Sequence, residues 1–297
     1  MPTRPLPIVM ASAIFGLLIG AAKPATPLVV RGDGLVNAIV GGVPGRLRLT
    51  PWAPAAPTLN PDYVARIGLK PGWIGFSVKV GPVKVSGRTA VTRLQYRDFD
   101  GKRRVVWFER RYEAGADGAI GPGGLRADTV RFELRAPTAR ERSVALPLVQ
   151  NFAGPAFARL RVGDRDVMVL FDPQHAQTLA TAGAGTTLAS ALGGELAGTP
   201  RQAEVAFGIE RPIRTLRLAR PLALGPVALD SVAVRIGDSG SVSTIADADA
   251  DPDEVVVTAK GGGKRRDVLI VGADALARCS SITFDRRAKT ITLSCAA

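Results

Sequence analysis

Short stretches of alternating apolar and polar residues recur along most of the chain, and glycine or proline separates them. Two typical stretches are residues 35–40 (Leu-Val-Asn-Ala-Ile-Val) and 129–134 (Thr-Val-Arg-Phe-Glu-Leu). Alternation of period two is typical of a β-strand with one buried face. The 33 glycines and 22 prolines are spread through the sequence, so they mark turns between strands rather than one linker. The pattern therefore predicts an all-β fold with short helices.

The N-terminal residues follow a different pattern. They begin with a short basic segment, Met-Pro-Thr-Arg, continue with an apolar run over 7–18, and end in small residues over 20–22. This order is typical of a secretory signal peptide, and the run is shorter than the roughly 20 residues that span a bilayer. We predict a signal peptide over 1–22, cleaved near Ala22 or Ala25, and a periplasmic or secreted mature protein. The alternative is an uncleaved N-terminal anchor.

The two halves of the remaining chain share a plan. In each half a strand, a glycine-containing turn and a second strand lead to a polar residue. Thr50 follows Gly41 by nine residues, and Asp172 follows Gly163 by nine residues. Two further landmarks recur, a glycine with a leucine four residues later and a turn reading Val/Leu-Gly-Pro-Val. They are Gly121 with Leu125 and residues 80–83 in the first half, and Gly272 with Leu276 and residues 224–227 in the second. These landmarks predict an internal duplication.

One short helix is predicted in the first half, over residues 60–69. Asn60 is a suitable N-cap, Pro61 a suitable first helical residue, and Gly68 a suitable end of the helix.

The formal charge is +13, from 39 Lys and Arg against 26 Asp and Glu. The arginines are spread singly, and aromatic residues are not interleaved with them, so the sequence argues against a nucleic-acid partner. For an exported protein, anionic envelope polymers or lipid headgroups are the more plausible partners. The alternative is a solvated basic surface with no dedicated partner.

Two cysteines, Cys279 and Cys295, flank two alternating runs joined by the four-residue turn Arg-Arg-Ala-Lys. A hairpin that pairs Asp285 with Thr290 brings the two cysteines within one residue of facing each other. In an oxidising compartment this predicts a disulfide, and the alternative is a pair of buried free thiols.

These landmarks resemble those of the pepsin and retropepsin aspartic peptidases. In that family a strand, a turn and a strand deliver Asp-Thr/Ser-Gly, and a later apolar strand ending in Ile/Leu-Leu-Gly packs under that loop. The sequences Ile120-Gly121 and Ile270-Val271-Gly272 resemble this second signature. The resemblance covers roughly residues 33–297 and implies a two-lobed acid-protease fold. Its first lobe would be 23–141 and its second 142–297.

The catalytic motif departs from the family pattern. The family's two catalytic aspartates fall on Thr50 and Asp172, and the following Thr-Gly falls on Pro51-Trp52 and on Pro173-Gln174. Peptidase catalysis in this family needs two carboxylates that share one proton, one acting as base and the other as acid. Because threonine has no carboxylate, the resemblance implies an inactive protein. The alternative for Asp172 is a turn residue at the end of a buried strand.

No replacement for the missing acid is evident in the sequence. Asp62 lies on the predicted helix and is expected to point away, and Asp33 is expected to lie too far from the loop. The single histidine, His175, has no nucleophile or metal partner in sequence and is interpreted as a surface or turn residue. The sequence predicts neither a cofactor nor a metal site.

Residues 237–266 interrupt the second half with acidic, glycine-rich and basic blocks, which predicts a flexible insertion. Within it, the six residues from Glu254 to Ala259 (Glu-Val-Val-Val-Thr-Ala) resemble the TonB box, a segment that pairs with a strand of TonB. The alternatives are a strand of the second half and a chance match in valine-rich sequence.

The leading functional hypothesis is an exported, inactive aspartic-peptidase-like protein that binds an extended peptide or an envelope component between its lobes. One alternative is an active aspartic-type hydrolase with a site rebuilt around Asp172. The other is an envelope interaction protein that docks through the insertion over 237–266.

Overall fold

A computed structural model describes residues 26–150, 154–237, 241–248 and 267–297. The predicted signal peptide and the TonB-box-like segment lie outside the described residues. The described chain consists mostly of β-strands, which confirms the predicted all-β class. Within the described residues, no helix has the length and apolar character needed to cross a membrane.

The strands form two sheets. Strand β1 (Leu28–Val30) precedes a seven-stranded sheet, whose members run in the order β2-β3-β8-β4-β7-β6-β5, with β2 also paired to β6. Their bounds are β2 (Leu35–Val40), β3 (Val43–Leu49), β4 (Thr58–Leu59), β5 (Gly75–Val80), β6 (Val83–Tyr96), β7 (Phe99–Phe108) and β8 (Gly118–Ile120). Helix α1 (Pro61–Ile67) lies between β4 and β5, and a 3-10 turn (Pro122–Gly124) follows β8.

The second sheet has thirteen strands in the order β1-β9-β19-β20-β10-β11-β12-β18-β13-β16-β15-β14-β17. Their bounds are β9 (Thr129–Glu133), β10 (Glu141–Val149), β11 (Phe157–Val162), β12 (Arg165–Phe171), β13 (Leu179–Ala180), β14 (Gly194–Ala206), β15 (Ile209–Leu224), β16 (Val227–Arg235), β17 (Ala246–Asp247), β18 (Val268–Val271), β19 (Cys279–Asp285) and β20 (Thr290–Ala296). Helix α2 (Ala182–Leu192) follows β13, and α3 (Ala273–Leu276) follows β18.

The same strand arrangement occurs twice. In the seven-stranded sheet β8 lies between β3, to which it is parallel, and β4, to which it is antiparallel. In the thirteen-stranded sheet β18 lies between β12 and β13 with the same two orientations. Each short strand β4 or β13 also pairs in parallel with the last strand of a three-stranded antiparallel unit, β5–β7 or β14–β16. The duplication predicted from the landmarks is therefore present in the backbone pairing.

One of the three predicted landmarks does not correspond between the halves. The turn at 80–83 joins β5 to β6, the first hairpin of its three-stranded unit. The turn at 224–227 joins β15 to β16, which is the second hairpin of the other unit. The two Gly-Pro turns are thus not equivalent. Their sequences are alike because tight turns favour glycine and proline wherever they occur.

The insertion predicted over 237–266 is partly structured. Residues 246–247 form β17, which pairs in parallel with β14 at Glu195 and Leu196. Ile245 is buried, and the backbone N–H of Ala248 donates to the carbonyl oxygen of Leu196. One apolar side chain and a short strand therefore anchor residues 245–248 of the insertion to the edge of β14.

The hairpin β19–β20 lies between β9 and β10, two strands that are consecutive in the chain. Its register pairs Asp285 with Thr290, as predicted, and a bulge brings Cys279 directly opposite Cys295. A disulfide joins these buried cysteines, which confirms the predicted pairing. The alternation of buried and half-buried residues along β20 shows why this sequence forms a strand with one core-facing side.

Candidate functional site

The loops that follow β3 and β12 have matching geometry. Thr50 is the first residue after β3, and its backbone N–H donates to the carbonyl oxygen of Ile120 at 3.2 Å. Asp172 is the first residue after β12, and its N–H donates to the carbonyl oxygen of Val271 at 3.0 Å. In each loop the carbonyl oxygen of this residue also accepts from the N–H three residues later. Thr50 and Asp172 therefore occupy equivalent positions, as the sequence landmarks predict.

A glycine packs directly against each loop. A Cβ atom on Gly121 would lie 1.8 Å from the carbonyl oxygen of Ala53, and one on Gly272 would lie 2.5 Å from the carbonyl oxygen of Gln177. Both distances are far below van der Waals contact, so the missing side chain is what allows the close approach. The two glycines singled out in the sequence thus have a structural role under the loops.

Both loops line one cavity of about 420 Å³. Thr50 and Pro51 contribute from the first half, and Pro173 and Gln174 contribute from the second. Asp33 also lines this cavity, so the prediction that it lies too far from the loop is wrong. Its side chain is already used locally, because its Oδ1 accepts from the backbone N–H of Leu35. Asp62 is exposed and pairs with Arg111 at 2.7 Å, as expected for a helix residue that points away.

Asp172 is 7% exposed, and one carboxylate oxygen accepts from the N–H of Gln174 at 3.0 Å. Burial raises the pKa of the Asp172 carboxyl, while the N–H group of Gln174 and the nearby His175 partly offset that rise. The neutral acid is therefore favoured more than in a solvated aspartate. Thr50 is 1% exposed, and its hydroxyl has no hydrogen-bond partner among the described residues.

A second buried carboxylate, which no sequence pattern predicts, lies in the segment between β7 and β8. Glu113 pairs with Arg48 at 2.8 Å, and both side chains are largely buried. Burial raises the pKa of the Glu113 carboxyl, Arg48 opposes the rise, and the charge of Asp172 adds to it. Burial, followed by the charges of Asp172 and Glu113, raises the pKa of the neighbouring Tyr112. Tyr112 and Glu113 from the first half therefore lie within electrostatic reach of Asp172 from the second.

Asn60 holds this segment in place. Its side-chain nitrogen donates to the carbonyl oxygens of Glu113 and Ala116, each at 2.8 Å. Its side-chain oxygen accepts from the N–H groups of Tyr112 and Glu113 at 2.9 and 3.0 Å. Asn60 does precede α1, but its side chain makes no capping hydrogen bond, so the predicted capping role is wrong. The helix itself is confirmed and ends at Gly68 in the left-handed conformation.

His175 links its loop to β14. Its Nδ1 lies 2.6 Å from the carbonyl oxygen of Gln177, and its Nε2 lies 3.1 Å from the carbonyl oxygen of Glu204. The half-buried imidazole therefore has backbone partners on both ring nitrogens, which supports a role in loop structure. Within the described residues, no group of His, Cys, Asp or Glu side chains is arranged to hold a metal ion.

A row of four aromatic side chains from the first half runs beside the acids. It consists of Trp52, Tyr112, Phe108 and Phe76, and we refer to it as the aromatic row. Trp52 stacks on Tyr112 at 5.0 Å between ring centroids, Tyr112 on Phe108 at 6.0 Å, and Phe108 meets Phe76 edge-on at 5.2 Å. Trp52 stands where the resemblance places a close-packed glycine, and it turns its ring onto Tyr112. No local pattern in the sequence connects these four positions.

Comparison of the chain with protein-family models and with curated protein sequences finds no match.

The buried acid gives stability a specific pH dependence. The pKa of Asp172 is raised in the folded state above its ordinary value of 3.8. In the pH range between these two pKa values, the folded protein binds more protons than the unfolded chain. Stability is therefore lost as pH rises through that range. We expect Asp172→Asn to raise the melting temperature at pH 7 and to leave it nearly unchanged at pH 3.

Thermal denaturation at both pH values checks this expectation, with Asp230→Asn as a control on the exposed face of β16. The control should change the melting temperature at pH 7 by less than Asp172→Asn does. An Asp172→Asn variant that is less stable than the wild type at pH 7 would contradict the raised pKa of the buried Asp172 carboxyl.

Proposed function

We propose that this chain is an exported protein with a two-lobed, aspartic-peptidase-like scaffold that binds an extended peptide and does not cleave it. The first lobe would comprise residues 23–141 and the second 142–297. The observation that carries the proposal is the matching position of Thr50 and Asp172 in two equivalent loops, only one of which supplies a carboxylate. The predicted disulfide pairing, which suits an oxidising compartment, supports export.

The chemistry at the two loops argues against peptidase activity. A water molecule between two carboxylates is activated only when one acid is ionised and the other carries a proton. The Thr50 hydroxyl cannot take either role at the pH values where a carboxyl titrates. An extended peptide can still bind through main-chain hydrogen bonds and side-chain pockets without any chemistry at these loops.

Glu113 favours a second candidate, an acid hydrolase with a rebuilt pair. It brings a carboxylate from the first half into electrostatic reach of Asp172, and burial raises the pKa values of both groups. Against this candidate, Glu113 already pairs with Arg48 at 2.8 Å, which favours its ionised form and occupies one oxygen. We therefore rank peptide binding without cleavage first.

Incubation of the mature protein with an unfolded protein from pH 3 to 7 tests the proposal. We expect binding without cleavage products. Cleavage that is inhibited by pepstatin and abolished in both Asp172→Asn and Glu113→Gln would instead establish the rebuilt acid pair. Cleavage that persists in both variants would point to a contaminating peptidase, and the Asp230→Asn protein is the matched preparation for that comparison.

A further inference from the structure

The hairpin β14–β15 carries an unexpected residue at its tip. Its two-residue turn consists of Phe207 and Gly208, with φ values of 59° and 67°. Two consecutive positive φ values favour Asn-Gly or Gly-Gly in such a turn, and a bulky aromatic residue at the first position is disfavoured. The requirements of the turn therefore do not explain why residue 207 is a phenylalanine, and we look for the reason in the contacts of its side chain.

Phe207 reaches from the thirteen-stranded sheet onto the aromatic row of the other sheet. Its ring meets Phe108 edge-on at 4.7 Å between centroids and Tyr112 edge-on at 5.6 Å. Such edge-to-face pairs stabilise the packing beyond the effect of the area that they bury. The ring is only half-buried, so this contact leaves part of the side chain in reach of solvent.

The contact belongs to a small apolar cluster that is separate from the main core. Its buried members are Val80, Val85, Phe108 and Ile209, and Phe207 packs at its margin. A small cluster at the end of a two-stranded hairpin can open without disturbing the main core, since local openings need only the free energy of the contacts that they break.

The position of the aromatic row ties this contact to the candidate site. Trp52 lies two residues after Thr50 in the same loop, and its neighbour in the row, Tyr112, lies within electrostatic reach of Asp172. Phe207 therefore covers aromatic surface that continues to the loop carrying Thr50 and Trp52.

We infer that Phe207 is an internal occupant of an aromatic subsite, and that the peptide ligand inserts an aromatic side chain there in its place. This inference rests on the proposed peptide-binding function and specifies the ligand of that site. The occupant seen in the structure defines the chemistry, because a ring held edge-on against two aromatic faces is replaced most favourably by another ring. Only molecules in which Phe207 has left the subsite can bind the peptide. The apparent affinity for the peptide is therefore the intrinsic affinity multiplied by the fraction of such molecules.

Calorimetric titration with two capped heptapeptides, Gly-Ser-Val-Phe-Val-Ser-Gly and its Phe-to-Ala counterpart, tests the inference. We expect Phe207→Asn, which suits the turn better, to bind the phenylalanine peptide about tenfold or more tightly than the wild type does. The affinity for the alanine peptide should be the same for Phe207→Asn and for the wild type. Phe207→Tyr, which keeps a ring at the tip, should behave as the wild type.

Arg97 provides the matched control, since it is exposed and has a φ of 47° in the turn between β6 and β7. Arg97→Asn should leave both affinities unchanged. If the wild type and Phe207→Asn bind the two peptides equally well, the aromatic subsite is refuted while peptide binding stands. If neither protein binds either peptide, the proposed function falls, and the inference falls with it.

Discussion

Replacing Asn60 with alanine is expected to lower the free energy of unfolding by about 4 kcal/mol, although the residue lies outside both loops. Its fully buried side chain satisfies two N–H groups and two carbonyl oxygens of the segment that carries Tyr112 and Glu113. An alanine leaves these four backbone groups without partners, and each buried orphan group costs about 1–3 kcal/mol before relaxation and water entry reduce the sum.

Urea denaturation of the wild type and of Asn60→Ala measures this loss. Asn37→Ala is the control, because Asn37 lies on an exposed position of β2. It should change the stability by less than about 0.5 kcal/mol. Equal stability of the Asn60 and Asn37 variants would show that the segment holds its conformation without the four hydrogen bonds.

Removing the disulfide is expected to lower the free energy of unfolding by about 3 kcal/mol. The bond closes a loop between residues 16 apart, and both cysteines are fully buried at directly paired positions of β19 and β20. Without the bond, the unfolded chain regains the conformational freedom that the closed loop denies it, and the folded state gains nothing in return.

Denaturation of the wild type and of the Cys279→Ala/Cys295→Ala variant, each with and without a thiol reductant, separates this effect from lost packing. The reductant should destabilise the wild type and should leave the double variant unchanged. A wild type that is insensitive to reductant, with its thiols shown by alkylation to be free, would contradict the stabilising role.

The parts of the fold that could be predicted from sequence are those that local chemistry determines. Alternation located β2 and β9, and the positions of two cysteines around a four-residue turn determined the pairing of β19 with β20. The glycines at 121 and 272 could be identified because no other residue permits the backbone approach that they make. For the strands and the hairpin, a few neighbouring residues carry the physical reason. The two glycines were found instead by their recurrence in both halves, because the loops that they contact are distant in sequence.

The parts that were missed depend on contacts between distant segments. Glu113 lies in a segment without periodicity, and it approaches Asp172 only because two halves of the chain meet. Asn60 has every local feature of an N-cap, but four backbone groups more than fifty residues away offer its side chain a better set of partners. These tertiary hydrogen bonds replace the capping hydrogen bond that the local sequence favours. No short stretch of sequence contains both Asn60 and the groups that it binds.

The placement of β19–β20 between β9 and β10 has a consequence for the order in which the molecule assembles. Strand β9 pairs with β19 through residues such as Val130 and Phe284, which are 154 positions apart. Pairings this distant give a high contact order, which slows folding. The thirteen-stranded sheet can therefore form completely only after residues 279–296 have been synthesised. Until then, the backbone N–H and carbonyl groups of β9 and β10 that pair with β19 and β20 have no strand partner.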